Sequence, residues 1–212
     1  MAYSAELFRS QLCALRPGVM YRVISIAHTE TPLAFIDSKA RFNDPRVELT
    51  ADDRFKVLYA SKRVFTSLWE AAIRDAPAQT DEQYVARRVL DAVRVVALRW
   101  GVPLDLLDVR GNRYLDINAS PNIVKTRHND YSDSQQFAAF VIENLPECDG
   151  ILYSSRYTEQ ACMALFDRAA YKLLEPPQVL DPYGFAEVRS AVTDRGLPLS
   201  VVIKHDRPDT RA

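Results

Sequence analysis

Five short runs rich in β-branched and aromatic residues punctuate this chain, at Val19 to Ile26, Lys56 to Ala60, Leu104 to Val109, Gly150 to Tyr153 and Leu199 to Ile203. Runs of that length and composition read as strands. Segments with helical signals alternate with them. Thr80-Asp81-Glu82-Gln83 has the form of a capping box, and Val85, Val89, Ala92, Val93, Val96 and Trp100 follow at helical spacing. This predicts a helix over 80–100, with Arg87, Arg88, Arg94 and Arg99 on its solvated face. Ser132 and Gln135 repeat the cap ahead of Phe137, Phe140, Val141 and Leu145, so a second helix is expected to end before Pro146. Further helix candidates are Ser4 to Leu15 and Phe185 to Arg195, the latter stopped by Gly196. Leu106 to Ile117 reads as a hairpin turning at Arg110-Gly111-Asn112. Strands interleaved with helices imply a mixed sheet with helices packed on it, in the α/β or α+β class. The 212 residues suit one domain over 1–212, closed by a polar, Pro-interrupted tail at 205–212 that is expected to be mobile.

Several kinds of chemistry are excluded by what the chain lacks. Phosphate-cradling loops and dinucleotide fingerprints need clustered glycines, and the six glycines here are scattered. His28, His128 and His205 have no metal-ligand spacing with one another or with Cys13, Cys148 and Cys162, so no metal is expected. The cysteines read as reduced thiols packed as small hydrophobes. A formal net charge of -1 offers no basic surface for a phosphate backbone, which argues against nucleic acid as a direct partner. No apolar run approaches a bilayer span, and Glu6 and Arg9 interrupt any leader-like core, so the expectation is no membrane and a cytoplasmic location. There is no Gly-x-Ser-x-Gly elbow for a serine hydrolase.

What remains is an ordered set of short motifs. Tyr21-Arg22-Val23 comes first, then Ala40-Arg41-Phe42-Asn43, Val57-Leu58-Tyr59-Ala60-Ser61 and Leu68-Trp69-Glu70. Tyr131 to Gln135 follows as a Tyr-x-x-Ser-Gln helix start, then Asp149 to Arg156 and Ala164-Leu165-Phe166-Asp167. Each block is short, and their order over residues 19 to 170 resembles the RES family, named for an arginine, a glutamate and a serine. Two departures stand out. The family's usual Gly-Arg-Trp-Asn reads Ala40-Arg41-Phe42-Asn43 here, and Ser154 stands where many members have proline, which places the family serine at Ser155 with Ser154 as the alternative.

The resemblance implies a fold similar to ADP-ribosyltransferase toxins and an enzyme that cleaves the nicotinamide–ribose bond of NAD⁺, with phosphate or water as acceptor. It also implies a toxin of a toxin–antitoxin pair, held by an Xre-like antitoxin that plugs the cleft. NAD⁺ is then a substrate, and no cofactor or metal is needed. The residue types suit that chemistry. Cleavage passes through an oxocarbenium-like ribose, which a carboxylate near the 2-hydroxyl stabilises as positive charge develops, the role expected of Glu70. Nicotinamide leaves as a neutral base, so no general acid is required. Arg22 and Arg41 would hold the pyrophosphate, with the second arginine free for an anionic acceptor. Tyr59 would offer nicotinamide an aromatic face, Tyr21 would line the site, and Ser155 would orient ribose or amide. Other readings stand beside these: Glu70 and Arg74 as an exposed i, i+4 pair, Arg22 as half of a structural ion pair, Arg41 as an ordinary loop arginine, Tyr59 as core and Ser155 as a turn cap. An ADP-ribosyltransferase that modifies a protein, and an idle RES-like binding module, are the alternative functions.

Overall fold

In the computed structural model, which describes residues 3–73, 84–125, 130–193 and 197–198, the chain begins with helix α1 (Ala5–Arg9) and passes at once into strand β1 (Leu12–Leu15). There follow β2 (Gly18–Ser25), β3 (Val57–Ser61), α2 (Val64–Leu68), β4 (Tyr84–Val85), α3 (Arg87–Asp91), β5 (Val93–Trp100) and β6 (Leu104–Asp108). The remaining elements are α4 (Asn122–Lys125), α5 (Ser132–Asn144), β7 (Gly150–Ser154), β8 (Ala161–Phe166), β9 (Gln178–Leu180), α6 (Ala186–Ala191) and β10 (Leu197–Pro198). Eight strands form one sheet in the order β1-β6-β7-β8-β3-β2-β5-β9, and β4 pairs with β10. Neighbours are antiparallel except β6 and β7, so this is the mixed sheet flanked by helices that the alternating pattern predicts.

The sheet buries both faces. On one, α5 lays Phe137, Ala138 and Val141 against Ile151, Ala164 and Phe166, and Tyr3 and Phe8 extend the aromatic packing to Phe137 and Phe140. On the other, Leu58, Leu98, Leu106, Leu152 and Met163 form a second cluster. A third joins α2, α3 and α6 to Val23 and Val95. β7 lies so close to β8 that a Cβ on Gly150 would sit 2.3 Å from the Ala164 carbonyl oxygen, so only glycine fits there.

Several expected elements are corrected. The helix over 80–100 does not form: Val85 lies in β4, Val89 in the short α3, and Val93 to Trp100 make β5, while Thr80 to Gln83 fall outside the described residues. β5 is inserted between β2 and β9, with Val95, Val96, Ala97 and Leu98 all buried. A strand covered on both faces reads as a continuous apolar run, and such a run satisfies helical spacing by default. The Ser4 to Leu15 helix stops at Arg9 because Leu12 to Leu15 pair along β6 instead. The hairpin is also absent. Gly111 does turn the chain at φ +60°, but β6 already has β1 and β7 on its two edges, and Arg113–Leu115 form a 3-10 turn with Arg110 and Arg113 drawn back onto Asp108. The helix after Phe185 ends at Ala191; Gly196, Leu199 to Ile203 and the tail at 205–212 lie outside the described residues.

Candidate active site

The residues facing the cavity floor come from one row across four strands. Tyr153 on β7 lies opposite Cys162 on β8, Cys162 opposite Ser61 on β3, and Ser61 opposite Tyr21 on β2. Cross-strand partners share a face, so these four side chains stand side by side. All four line a cavity of about 250 Å³. β2 and β3 meet through that single Tyr21–Ser61 pair, whereas β2 and β5 pair over the whole strand. The sheet therefore parts beside Tyr21, and the cavity occupies the parting. Tyr59 is two residues before Ser61, on the same face by strand alternation, and lines the cavity as well.

Glu70 reaches this cavity from a π-helical turn, Trp69–Ile73, that continues α2. α2 and this turn are fastened to the loop after β7 at three points. Ser155 Oγ donates to Glu70 Oε1 at 2.6 Å, the hydroxyls of Thr66 and Thr158 meet at 3.0 Å, and Trp69 packs on Tyr157 with ring centroids 5.5 Å apart. Ser155 Oγ also accepts from the Tyr157 and Thr158 amides, so its hydroxyl proton is directed at the carboxylate. A hydrogen bond to an ionised acceptor is about twice as strong as a neutral one, and this one fixes the Glu70 rotamer. Ser155 is 1% exposed and does not itself line the cavity; it acts on the site through Glu70. Ser154 ends β7 opposite Ala161.

The two arginines enter from different elements. Arg22, on β2, is half-buried and donates to the Ala34 carbonyl at 2.6 Å; burial lowers its pKa to about 10, and no carboxylate lies within ion-pair distance among the described residues. Arg41 sits on the long loop before β3 and is 7% exposed. Its guanidinium lies 5.8 Å from the Tyr131 ring centroid and 5.6 Å from that of Tyr153, and its Nη1 is buried with no hydrogen-bond partner. A buried cationic donor without a partner is costly unless a ligand acceptor completes it. The loop is held by Tyr59, whose hydroxyl accepts from the Phe42 amide at 2.9 Å and donates to Asn43 Oδ1 at 3.0 Å, and by Gln135, which donates to the Ala40 carbonyl at 3.0 Å. Phe42 is fully buried against Tyr153 instead of facing the cavity.

A model of the RES domain matches residues 19–184. The chain belongs to the RES-domain family. The match runs past Asp167, where the sequence motifs end, through β9, and it leaves α1 and β1 outside. The fold is similar to that of a chain in the crystal structure of the M. tuberculosis MbcT–MbcA toxin–antitoxin complex, with a TM-score of 0.62, 14% identity, and coverage of 88% of this chain and 96% of that one. No curated protein matches it.

In this RES domain, Tyr21, Arg22, Arg41, Tyr59 and Glu70 converge on one cavity, although they span 50 positions of sequence. Arg74, the rival partner for Glu70, lies outside the described residues. Tyr153, Ser61 and Tyr131 lie inside the sequence motifs and Cys162 reads as a packed thiol, but none of the four is marked by sequence as part of the site; the strand register shows that Tyr153, Cys162 and Ser61 share the floor, and Tyr131 stands against Arg41. Among the described residues no cluster of three or more His, Cys, Asp or Glu could hold a metal ion, and no helix is long and apolar enough to cross a membrane.

Proposed function

We propose that this RES-domain protein cleaves the nicotinamide–ribose bond of NAD⁺ and acts as the toxin of a toxin–antitoxin pair. The observation that carries the reading is the pairing of an oriented carboxylate, Glu70 under Ser155, with a buried Arg41 whose Nη1 lacks an acceptor, in one cavity. Two arginines against one glutamate leave the lining net positive, which suits an anionic ligand. The volume is below the ~300–1,000 Å³ of pockets that enclose a drug-sized ligand, so the cavity takes the nicotinamide riboside end and leaves the adenosine end at the mouth.

Glu70 faces the ribose and stabilises the positive charge that grows on its anomeric carbon as the bond to nicotinamide breaks. Nicotinamide departs with the bonding pair as a neutral base. Hydrogen phosphate then forms the new carbon–oxygen bond to give ADP-ribose 1″-phosphate, or water forms it and releases a proton to give ADP-ribose. The second arginine favours phosphate, because an anion brought beside Glu70 needs a compensating positive field. The toxin role is supported by family membership and by the MbcT–MbcA complex to which the fold is similar. The partner in this reading is an Xre-like antitoxin that covers the cavity mouth. The experiment is nicotinamide release from NAD⁺ by purified protein, with products identified by mass spectrometry in phosphate and phosphate-free buffer. Release with phosphate-dependent 1″-phosphate supports the full reading. ADP-ribose alone, at a rate indifferent to phosphate, makes the protein a hydrolase, and intact NAD⁺ overturns the proposal.

A further inference from the structure

Tyr153 has a cavity-facing position that the reaction as written does not use. Its ring is held on two sides, by Phe42 at 5.1 Å with an interplanar angle of 62° and by the Arg41 guanidinium at 5.6 Å. The residue is 4% exposed and lines the cavity, and its hydroxyl has no hydrogen-bond partner among the described residues. Neighbours that act on its charge are Cys162, Glu70, Arg41 and Tyr59, all cavity residues. Burial first, then Cys162 and Glu70, push the phenol well above the usual tyrosine range, so it stays a neutral donor.

An ionised carboxylate can only accept hydrogen bonds, and a sugar hydroxyl can both donate and accept. A ribose hydroxyl that gives its proton to Glu70 therefore keeps lone pairs that need a donor. Ser155 cannot supply it, because its proton is committed to Glu70. Ser67 donates to the Tyr21 carbonyl, and Ser61 is bonded to Ser67 and to the Arg63 carbonyl. We propose that Tyr153 binds the ribose directly, its hydroxyl donating to the sugar hydroxyl that faces Glu70. The chain from phenol to sugar hydroxyl to carboxylate polarises in one direction, so it tightens the sugar–Glu70 bond as charge develops on the ring. This inference rests on the reading of the cavity as the NAD⁺ site.

The test compares kcat/KM of the parent and Tyr153→Phe on NAD⁺ and on its analogue lacking the 2′-hydroxyl of the nicotinamide ribose. Phenylalanine keeps the ring packing and removes only the unpartnered oxygen, so the melting temperature is expected to be unchanged. Expected is a loss of about ten-fold on NAD⁺, the scale of one missing hydrogen bond. On the 2′-deoxy analogue the variant and parent should be nearly equal, because the hydroxyl that Tyr153 serves is already absent. Equal losses on both substrates, or none on NAD⁺, overturn the role while leaving the NAD⁺ reading intact. A parent protein that leaves NAD⁺ untouched overturns that reading and this inference together.

Discussion

Glu70→Gln replaces one carboxylate oxygen with an amide nitrogen at constant size. In the folded protein the change is small: the amide oxygen of glutamine can still accept from Ser155 Oγ, which now donates at 2.6 Å to Oε1. A hydrogen bond to a charged group contributes about 1.5–3 kcal/mol and a neutral one about 0.5–1.5, so the fold loses roughly 1 kcal/mol. For a chain of this length that is about 2–4 °C in melting temperature. The reaction is hit much harder. Losing one preorganised electrostatic group costs about 10²–10³ in kcat, or ~2.7–4 kcal/mol. In the proposed reaction Glu70 acts chiefly on charge that develops in the transition state, so the loss is expected to fall on kcat, with KM for NAD⁺ near the parent value. Initial rates of nicotinamide release over a range of NAD⁺, with a melting curve on the same sample, separate these effects. A variant with the parent's kcat refutes the assignment of Glu70, and a raised KM at unchanged kcat makes it a binding residue only.

Gly150→Ala is expected to lose at least 3 kcal/mol or fail to accumulate as folded protein, at the upper end of overpacking costs of about 1–3 kcal/mol, since the new Cβ meets backbone at 2.3 Å and 2.9 Å; a melting temperature equal to the parent's would refute the close approach of β7 and β8. Asp108 governs part of the acid limb. Burial acts to raise its carboxyl, but the hydrogen bonds and charge of Arg110, with Arg113, outweigh burial and hold it below the usual range. A depressed folded pKa means stability that is full above the unfolded value near 3.9 and is lost as pH falls through the folded one. Melting temperature measured from pH 7 to pH 2 should therefore fall less steeply below about pH 4 in Asp108→Asn than in the parent; superimposable acid limbs would remove Asp108 from that account.

Where local chemistry decides structure, the sequence was readable. Gly18–Ser25, Val57–Ser61, Leu104–Asp108 and Gly150–Ser154 form strands within a residue or two of the runs that predict them, and α5 ends at Asn144 ahead of Pro146. Where the sheet decides, it was not. β5 mimics helical spacing because burial on both faces removes the alternation that would mark it, and β1 is a strand because β6 offers it an edge. The same division runs through the site. The motifs locate Arg22, Arg41, Tyr59, Glu70 and Ser155, but Tyr153 joins them only through the ladder from β7 to β2, whose middle rung, Cys162 on β8 to Ser61 on β3, pairs residues far apart in the chain and leaves no mark on one sequence.

That ladder also sets when the cavity can exist during synthesis. Its floor needs β8, which stands between β7 and β3 and is made after both. A ribosome that has released everything up to Tyr157 has already displayed every arginine and glutamate of the site, yet β3 and β7 still have no strand to join them. A chain cut short before Ala161 lacks the strand that joins β7 to β3, so the cavity floor is one of the last parts of the sheet to be completed as the chain is made.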